Sequence, residues 1–448
     1  MQKIIKLMQG NHQFIVNILL AMLNAAFSYF SLILIAKTFG GTAGSDAYFY
    51  LVSLLIMSSG VVTILFSVVM LPQYMLIREQ INDLIAGEFL GSILVGSLFL
   101  TLVILGVAQF YGIKFYEVLS RFSASEIKNT YHILNYFPWI FFVSVIAEFF
   151  RVIALAHGRF KTSSLTTISQ PILLISLLIF YSNTFHEEIL SISLLFSKII
   201  SFSIFIYFVV FKDKVKVIFR KNSSSHFIKY SMISAPYFFA NISGLLSSFI
   251  FDYLSSGLGT GYVTLINYAQ KIYSIPLNLV VMPILEIART RFAKARAELN
   301  FLSFKVEKDY ITKICLFLSV TSAILIFIFS NFLIGLLFGN SKFSNEDLSI
   351  VVNCLKIYSL GIPFAALFMV NGRAIESFQK LLIPSIFGSI GQILMISTTI
   401  TLTMWLGYIG IPLGKTIIDT IYFFPIGILL YKKLQKEDVM GNSLLSKN

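Results

Sequence analysis

Long apolar runs alternate with short polar breaks along this chain, and the runs have the length of membrane helices. About 20 mostly apolar residues suffice to cross a hydrocarbon core. On that measure the first half predicts spans at 13–37, 46–75, 88–110, 131–156, 162–182 and 188–211. The second half predicts spans at 228–256, 262–288, 310–338, 348–372, 382–405 and 408–431. The longest polar stretch, "FKDKVKVIFRKNSSSHFIK" (211–229), separates the two sets. The expectation is an all-α membrane protein of about twelve transmembrane helices in two six-helix bundles. Its parts are an N-terminal bundle (1–211), a cytoplasmic linker (212–227), a C-terminal bundle (228–431) and a cytoplasmic tail (432–448).

Composition excludes a soluble alternative. Of 448 residues, 57% are hydrophobic and 12% charged, with a mean hydropathy of +0.84. A water-soluble domain needs far more polar surface than that. The net charge of +13 comes from basic residues just beyond helix ends, including Lys212, Lys214, Lys216, Arg220 and Lys221, then Arg289, Arg291, Lys294 and Arg296. Lys432, Lys433 and Lys436 add to the same side, while Lys114, Arg121, Lys128 and Lys342 are the few on the other. The positive-inside rule therefore places both termini in the cytoplasm. Charge so distributed holds topology and meets anionic membrane lipid, and implies no nucleic-acid partner. The basic segment 287–308 reads as an amphipathic helix lying on the inner leaflet. The first apolar run is too long for a signal-peptide core and reads as a retained span.

A short echo links the halves. "SVVMLPQ" (67–73) in the second span matches "LVVMPIL" (279–285) in the eighth, which makes Ser59 the counterpart of Lys271.

Ionisable side chains inside the spans are Glu148, Arg151, Lys198, Asp252, Lys271, Lys356, Lys415 and Asp419. Glu148 and Arg151 are three residues apart and Lys415 and Asp419 four, so each pair shares a helix face and can neutralise itself. Lys198 and Lys356 have no partner on their own helix, and must snorkel or pair across helices. Lys271 is too deep to snorkel, and a lysine at a helix centre costs roughly 2.5–3.5 kcal/mol to insert. Two readings remain for it: an ion pair with Asp252 on the preceding helix, or a wet cavity wall that binds an anionic group. Asn267, Gln270 and Tyr273 beside it favour the second. Pro276 and Pro283 are expected to break or bend the same helix. His12, His132, His157, His186 and His226 have no metal-ligand spacing. No Walker loop or nucleophile elbow is present, so no enzyme, cofactor or metal is expected. Cys315 and Cys354 sit in apolar runs and imply no disulfide framework.

Several stretches carry a family resemblance. "AKTFGGTAGSDAYFYLVSLL" (36–55), with Phe39, Gly40, Asp46, Ala47 and Tyr48, resembles the first junction of the MurJ/MviN lipid II flippases. "LPQYMLIRE" (71–79) and "INYAQKIYSIPLNLVVMPIL" (266–285) are similar to that family's second and eighth spans, and Asp252 matches an acidic position ending the seventh. The resemblance places the chain in the multidrug/oligosaccharidyl-lipid/polysaccharide exporter superfamily. It implies two bundles forming a V-shaped central cavity and alternating access for a polyprenyl-diphosphate-linked glycan. The resemblance gives Lys271 a diphosphate to bind; its neighbours Asn267 and Gln270 and its repeat counterpart Ser59 are the further expected substrate-binding residues, and Asp46 and Asp252 are expected to serve gating or coupling. The family's cavity arginines fall on Ala25, Ser31 and Ser59, and its two further spans have no counterpart among the twelve. The expected cargo is therefore an undecaprenyl-diphosphate-linked oligosaccharide for O-antigen, capsule or a related glycan, carried across the bacterial cytoplasmic membrane. Lipid II flipping, a MATE-like cation-coupled drug antiport and a non-transporting scaffold are the alternatives. The partners implied are that lipid-linked glycan, membrane lipids and envelope glycan assembly proteins.

Overall fold

The computed structural model describes residues 12–219, 241–298, 301–378 and 382–445. Within them the chain is helical almost throughout. The long helices are α1 (His12–Thr38), α2 (Ala43–Gln80), α3 (Asp83–Tyr111), α4 (Phe137–Ala156), α5 (Phe160–Phe185) and α6 (Glu188–Lys212). They are followed by α7 (241–255), α8 (Tyr262–Arg296), α9 (Phe301–Phe338), α10 (Asn345–Glu376) and α11 (Leu382–Leu406). Finally α12 begins at Gly410 and runs to Leu445.

Among the described residues ten helical stretches are long and apolar enough to cross a membrane. Two of the twelve expected spans account for the difference. The last two form one stretch, Leu382–Glu437, turned at the 3-10 segment Gly407–Ile409, where Gly407 takes φ +61°. Residues 228–240 of the seventh span lie outside the described residues, as do 220–227 of the expected linker and 446–448 of the tail.

Two compact units are present. One runs to Phe249 and includes Gly259–Gly261; the other holds Ile250–Leu258 and everything from Tyr262. In the first, α4 is the central helix, with Phe137, Phe141, Phe149 and Ile153 at most 2% exposed, and it packs on α2, α3 and α6. It starts later than its hydropathy implied. Residues 131–134 finish a separate short helix, Ala124–Leu134, whose start is fixed by a reciprocal Ser123–Glu126 capping box. In the second unit α10 is central, with Leu355, Tyr358, Ile362 and Val370 fully buried against α8, α9 and α12. Large apolar side chains such as Phe99, Phe180, Phe317 and Trp405 point outward. On a membrane protein that surface meets lipid, where it costs nothing.

Four π-helical turns interrupt the helices: Leu65–Met70 in α2, Tyr207–Lys212 at the end of α6, Pro276–Val281 in α8 and Asp419–Phe423 in α12. Such turns are rare and usually single. Here the turns in α2 and α8 start 211 residues apart, and those in α6 and α12 start 212 apart. The second and sixth helices of the first half and their counterparts in the second thus carry the same irregularity at nearly the same spacing. The sequence echo sits on two of these turns.

Two expectations change. Pro276 and Pro283 do not break α8: Pro276 opens the π turn, and Pro283 lies in the first turn of the helix that follows. Nor does 287–308 form one interfacial helix. Residues up to Ala297 continue α8 and residues from Phe301 begin α9. The two arms are tied by Arg291, which donates to Glu307 at 2.9 Å. Glu286 in α8 likewise accepts from Arg373 of α10 at 2.7 Å.

Candidate functional site

The α1–α2 junction shows why the stretch around Gly40 has its sequence. Gly40, at φ +73°, lets α1 end, with its N–H reaching back to Ile35. Thr42 then caps α2 in a capping box with Ser45. The Thr42 hydroxyl donates to Glu187 at 2.9 Å, and Ser45 Oγ donates to the Gly40 carbonyl at 2.8 Å. Four residues into this cap stands Asp46, fully buried, whose carboxylate accepts the backbone N–H of Gly261. Gly261 is required there twice over. Its φ is +94°, and an added Cβ would lie 3.1 Å from the Gly41 carbonyl oxygen. The neighbouring Thr260 hydroxyl donates to Glu126 at 2.7 Å. Burial alone would push the Glu126 carboxyl up, but its bonds from Thr260 and Ser123 outweigh this and hold it below the usual glutamate range. The turn Gly259–Gly261 is therefore clasped by two carboxylates of the first unit. Only Asp46 was legible as one of them.

The second unit has a polar interior at mid-span. Asp252 of α7 is buried and accepts from the Asn267 amide at 2.6 Å. Lys271, one turn beyond Asn267 on the same face of α8, is exposed, and the charge of Asp252 acts on it. Lys271 stands nine residues into α8, about 14 Å along the axis. Gln270 donates to the hydroxyl of Tyr358 in α10 at 3.1 Å. The ring of Tyr358 lies 5.3 Å from that of Tyr273, and Lys415 of α12 sits 5.6 Å over the Tyr273 ring. Lys415 closes the series with an ion pair to Asp419 at 3.0 Å. Asp252, Asn267, Gln270, Lys271, Tyr273, Tyr358, Lys415 and Asp419 thus form one polar seam through α7, α8, α10 and α12. A lysine in the middle of a spanning helix is set among polar groups here, since lipid would exact several kcal/mol.

Ser59, the repeat counterpart of Lys271, belongs to the first unit and donates to the Leu55 carbonyl of its own helix at 2.6 Å. Ser31 does the same with Ser28 at 2.8 Å. Such back-bonding satisfies a hydroxyl without a ligand. Glu148 and Arg151 form the expected ion pair on α4. Lys198 of α6 comes within the field of both. Lys356 is half-buried in α10. Tyr358 escaped sequence reading, because one aromatic hydroxyl is invisible among 21 tyrosines and 45 phenylalanines.

Comparison with known proteins gives concordant results. The family model described as "Lipid II flippase MurJ" matches residues 12–446. A "Probable lipid II flippase MurJ" of Buchnera aphidicola subsp. Schizaphis graminum is 26% identical over 441 residues, covering 95% of this chain and 83% of the relative. One from Aquifex aeolicus is 25% identical over 448 residues with the same two coverages. Among solved structures, "Lipid II flippase MurJ, inward closed conformation" superposes with a TM-score of 0.79 at 18% identity, covering 95% of this chain and 91% of that one. An inward-facing MATE family transporter of the MOP superfamily gives 0.78 at 14% identity, covering 94% and 99%.

Proposed function

The chain belongs to the MurJ lipid II flippase family, and from that premise we propose that it carries lipid II itself across the bacterial inner membrane. As a member of that family it is a multi-pass membrane transporter of lipid-linked precursor and not an enzyme. Agreement with the family over nearly the whole chain favours lipid II over the O-antigen or capsule precursor that the missing arginines had pointed to. A glycan-peptide headgroup cannot cross hydrocarbon unaided, because each of its polar groups would lose water without a replacement. The protein supplies that replacement by alternating access.

The observation that carries this reading is Lys271, an exposed ammonium at mid-span within a polar seam. Its role is to attract the diphosphate, with Asn267 and Gln270 beside it for neutral groups of the headgroup. Asp252 holds Asn267 and balances the lysine when no substrate is present. Asp46 acts at the far end of the cycle. With both termini cytoplasmic, the turn Gly259–Gly261 lies at the periplasmic side, where Asp46 holds it.

The test uses the purified chain in proteoliposomes with fluorescent lipid II, read by accessibility of the label to a membrane-impermeant quencher. Wild type is expected to translocate it, and Lys271→Ala to fall to the protein-free background while remaining folded and monodisperse. Wild-type rates from Lys271→Ala would remove its role. Transport of an undecaprenyl-diphosphate oligosaccharide without a peptide stem, but not of lipid II, would return the cargo to the other glycans.

A further inference from the structure

The first unit holds its mid-span charge in one place. On α4, Ser144, Glu148 and Arg151 follow at four and three residues and so share a face. Glu148 takes Arg151 in a two-pronged ion pair, with Nε donating at 2.8 Å and the second prong closing the fork. Lys198 on the adjoining α6 feels both charges, yet its ammonium has no hydrogen bond or ion pair of its own among the described residues. Glu148 and Lys198 stand eleven and ten residues from the starts of their parallel helices, about 15 Å deep and near the bilayer centre. Every other charged side chain in a spanning helix of this unit lies within five residues of a helix end.

The charges do not cancel. Two cations face one carboxylate, leaving a net positive charge where an unbalanced charge costs most. None of the three is sealed away: the side chains of Arg151 and Glu148 are 27% and 18% exposed, and Lys198 is half-buried. Ser144, one turn from Glu148 on the same face, is 5% exposed and its hydroxyl has no hydrogen-bond partner. A purely structural cluster would be more stable neutral, since a buried charge without a partner is penalised by several kcal/mol. Surplus positive charge, an idle donor and incomplete burial describe a place that an oxyanion visits.

We propose that Lys198 and Arg151, with the Ser144 hydroxyl, form a second anion-binding subsite at mid-membrane that takes one phosphoryl or carboxylate group of the transported headgroup. Glu148 occupies the Arg151 guanidinium until an anion of the headgroup takes its place. The proposal rests on the flippase reading above and extends it. It also answers how a chain with Ala25, Ser31 and Ser59 in place of arginines holds an anionic cargo: the cations stand on α4 and α6 instead.

Binding to the purified full chain decides it, with undecaprenyl diphosphate, lipid II, and lipid II with its stem carboxylates amidated as three probes. Lys198→Met cancels the net charge and weakens binding roughly tenfold, the value of one charged hydrogen bond. Glu148→Gln raises the net charge and tightens binding, and Lys198→Arg keeps wild-type affinity. If the group is the diphosphate, the Lys198→Met loss is the same for all three probes. If it is a stem carboxylate, the loss appears only with unmodified lipid II. The opposite signs of the first two variants are the signature, because damage to packing would weaken both. Should Lys198→Met not fold, tightening by Glu148→Gln together with retention by Lys198→Arg carries the decision. Shifts of the same sign, or no shift in any variant, overturn the subsite. A wild-type chain that binds and translocates lipid II while these variants are inert sinks the subsite alone. A wild-type chain that does neither sinks the flippase reading with it.

Discussion

Glu148–Arg151 and Lys415–Asp419 look alike as sequence, each an opposite-charge pair one helical turn apart inside an apolar run. They differ in company. Lys415 donates to Asp419 at 3.0 Å, Asp419 is only 8% exposed, and the Tyr273 ring covers the ammonium. That pair is neutral and its carboxylate is enclosed. Glu148–Arg151 is somewhat more exposed, with a third charge, Lys198, at its side. Spacing on one helix tells that two charges can meet. What they do depends on a residue contributed by another helix.

The sharpest way to break the comparison is to remove one partner from each pair. Asp419→Asn leaves Lys415 without its counter-charge in a nearly closed site, and is expected to cost about 3 kcal/mol of stability. Thermal unfolding in detergent would show it as a drop of several degrees and a poor yield. Glu148→Gln strands Arg151 in a less enclosed setting, and is expected to cost less, about 2 kcal/mol, in the same measurement. Equal losses would mean that the two pairs are equivalent after all.

A gentler change sharpens the contrast. The double variant Lys415→Met with Asp419→Leu replaces the closed pair by apolar side chains of similar bulk. Stability should stay within about 1 kcal/mol of wild type, as found when buried pairs are exchanged for packing, and lipid II translocation should persist. Lost transport in a stable double variant would move Lys415 from the scaffold to the substrate path.

The smallest effect belongs to a third pair, outside the spans. The Arg159 guanidinium, hydrogen-bonded to Asp213, holds that carboxyl below the usual aspartate range against the opposing effect of burial. A depressed carboxyl contributes stability that is complete above its unfolded pKa, about 3.9, and fades as pH falls through the lower folded value. Between pH 7 and 5 the pair should therefore be silent. A slight loss of melting temperature should appear only below pH 4 and be absent in Asp213→Asn.

The helices were legible because hydrocarbon thickness imposes a length on them, and composition alone reveals it. Their ends were less so. A basic amphipathic stretch such as 287–308 has the same composition whether it lies flat or extends two helices beyond the bilayer. What decides is tertiary, the reach of Arg291 to Glu307 and of Glu286 to Arg373. The site divides in the same way. Asp252, Lys271 and Asp46 stood out as charges in apolar or junction sequence, and the structure places them in the seam and under the Gly259–Gly261 turn. Glu126 was unreadable because it lies in a short polar helix between spans, where one more carboxylate raises no question. Its partner is a threonine 134 residues away. Lys198 was visible as a charge, but its setting beside Glu148 is a fact about two helices.

The four π turns also record something about descent. Each accommodates one residue more than a regular helix would, and an insertion of that kind, once tolerated, displaces every later side chain by about 100° around the axis. Two halves that acquired such insertions independently would have no reason to keep them in phase. Here the members of the two pairs start 211 and 212 residues apart. A half-length ancestor that already carried both insertions and doubled in tandem would account for all four described turns at once, and the extra residue in each would then have outlasted the side chains around it.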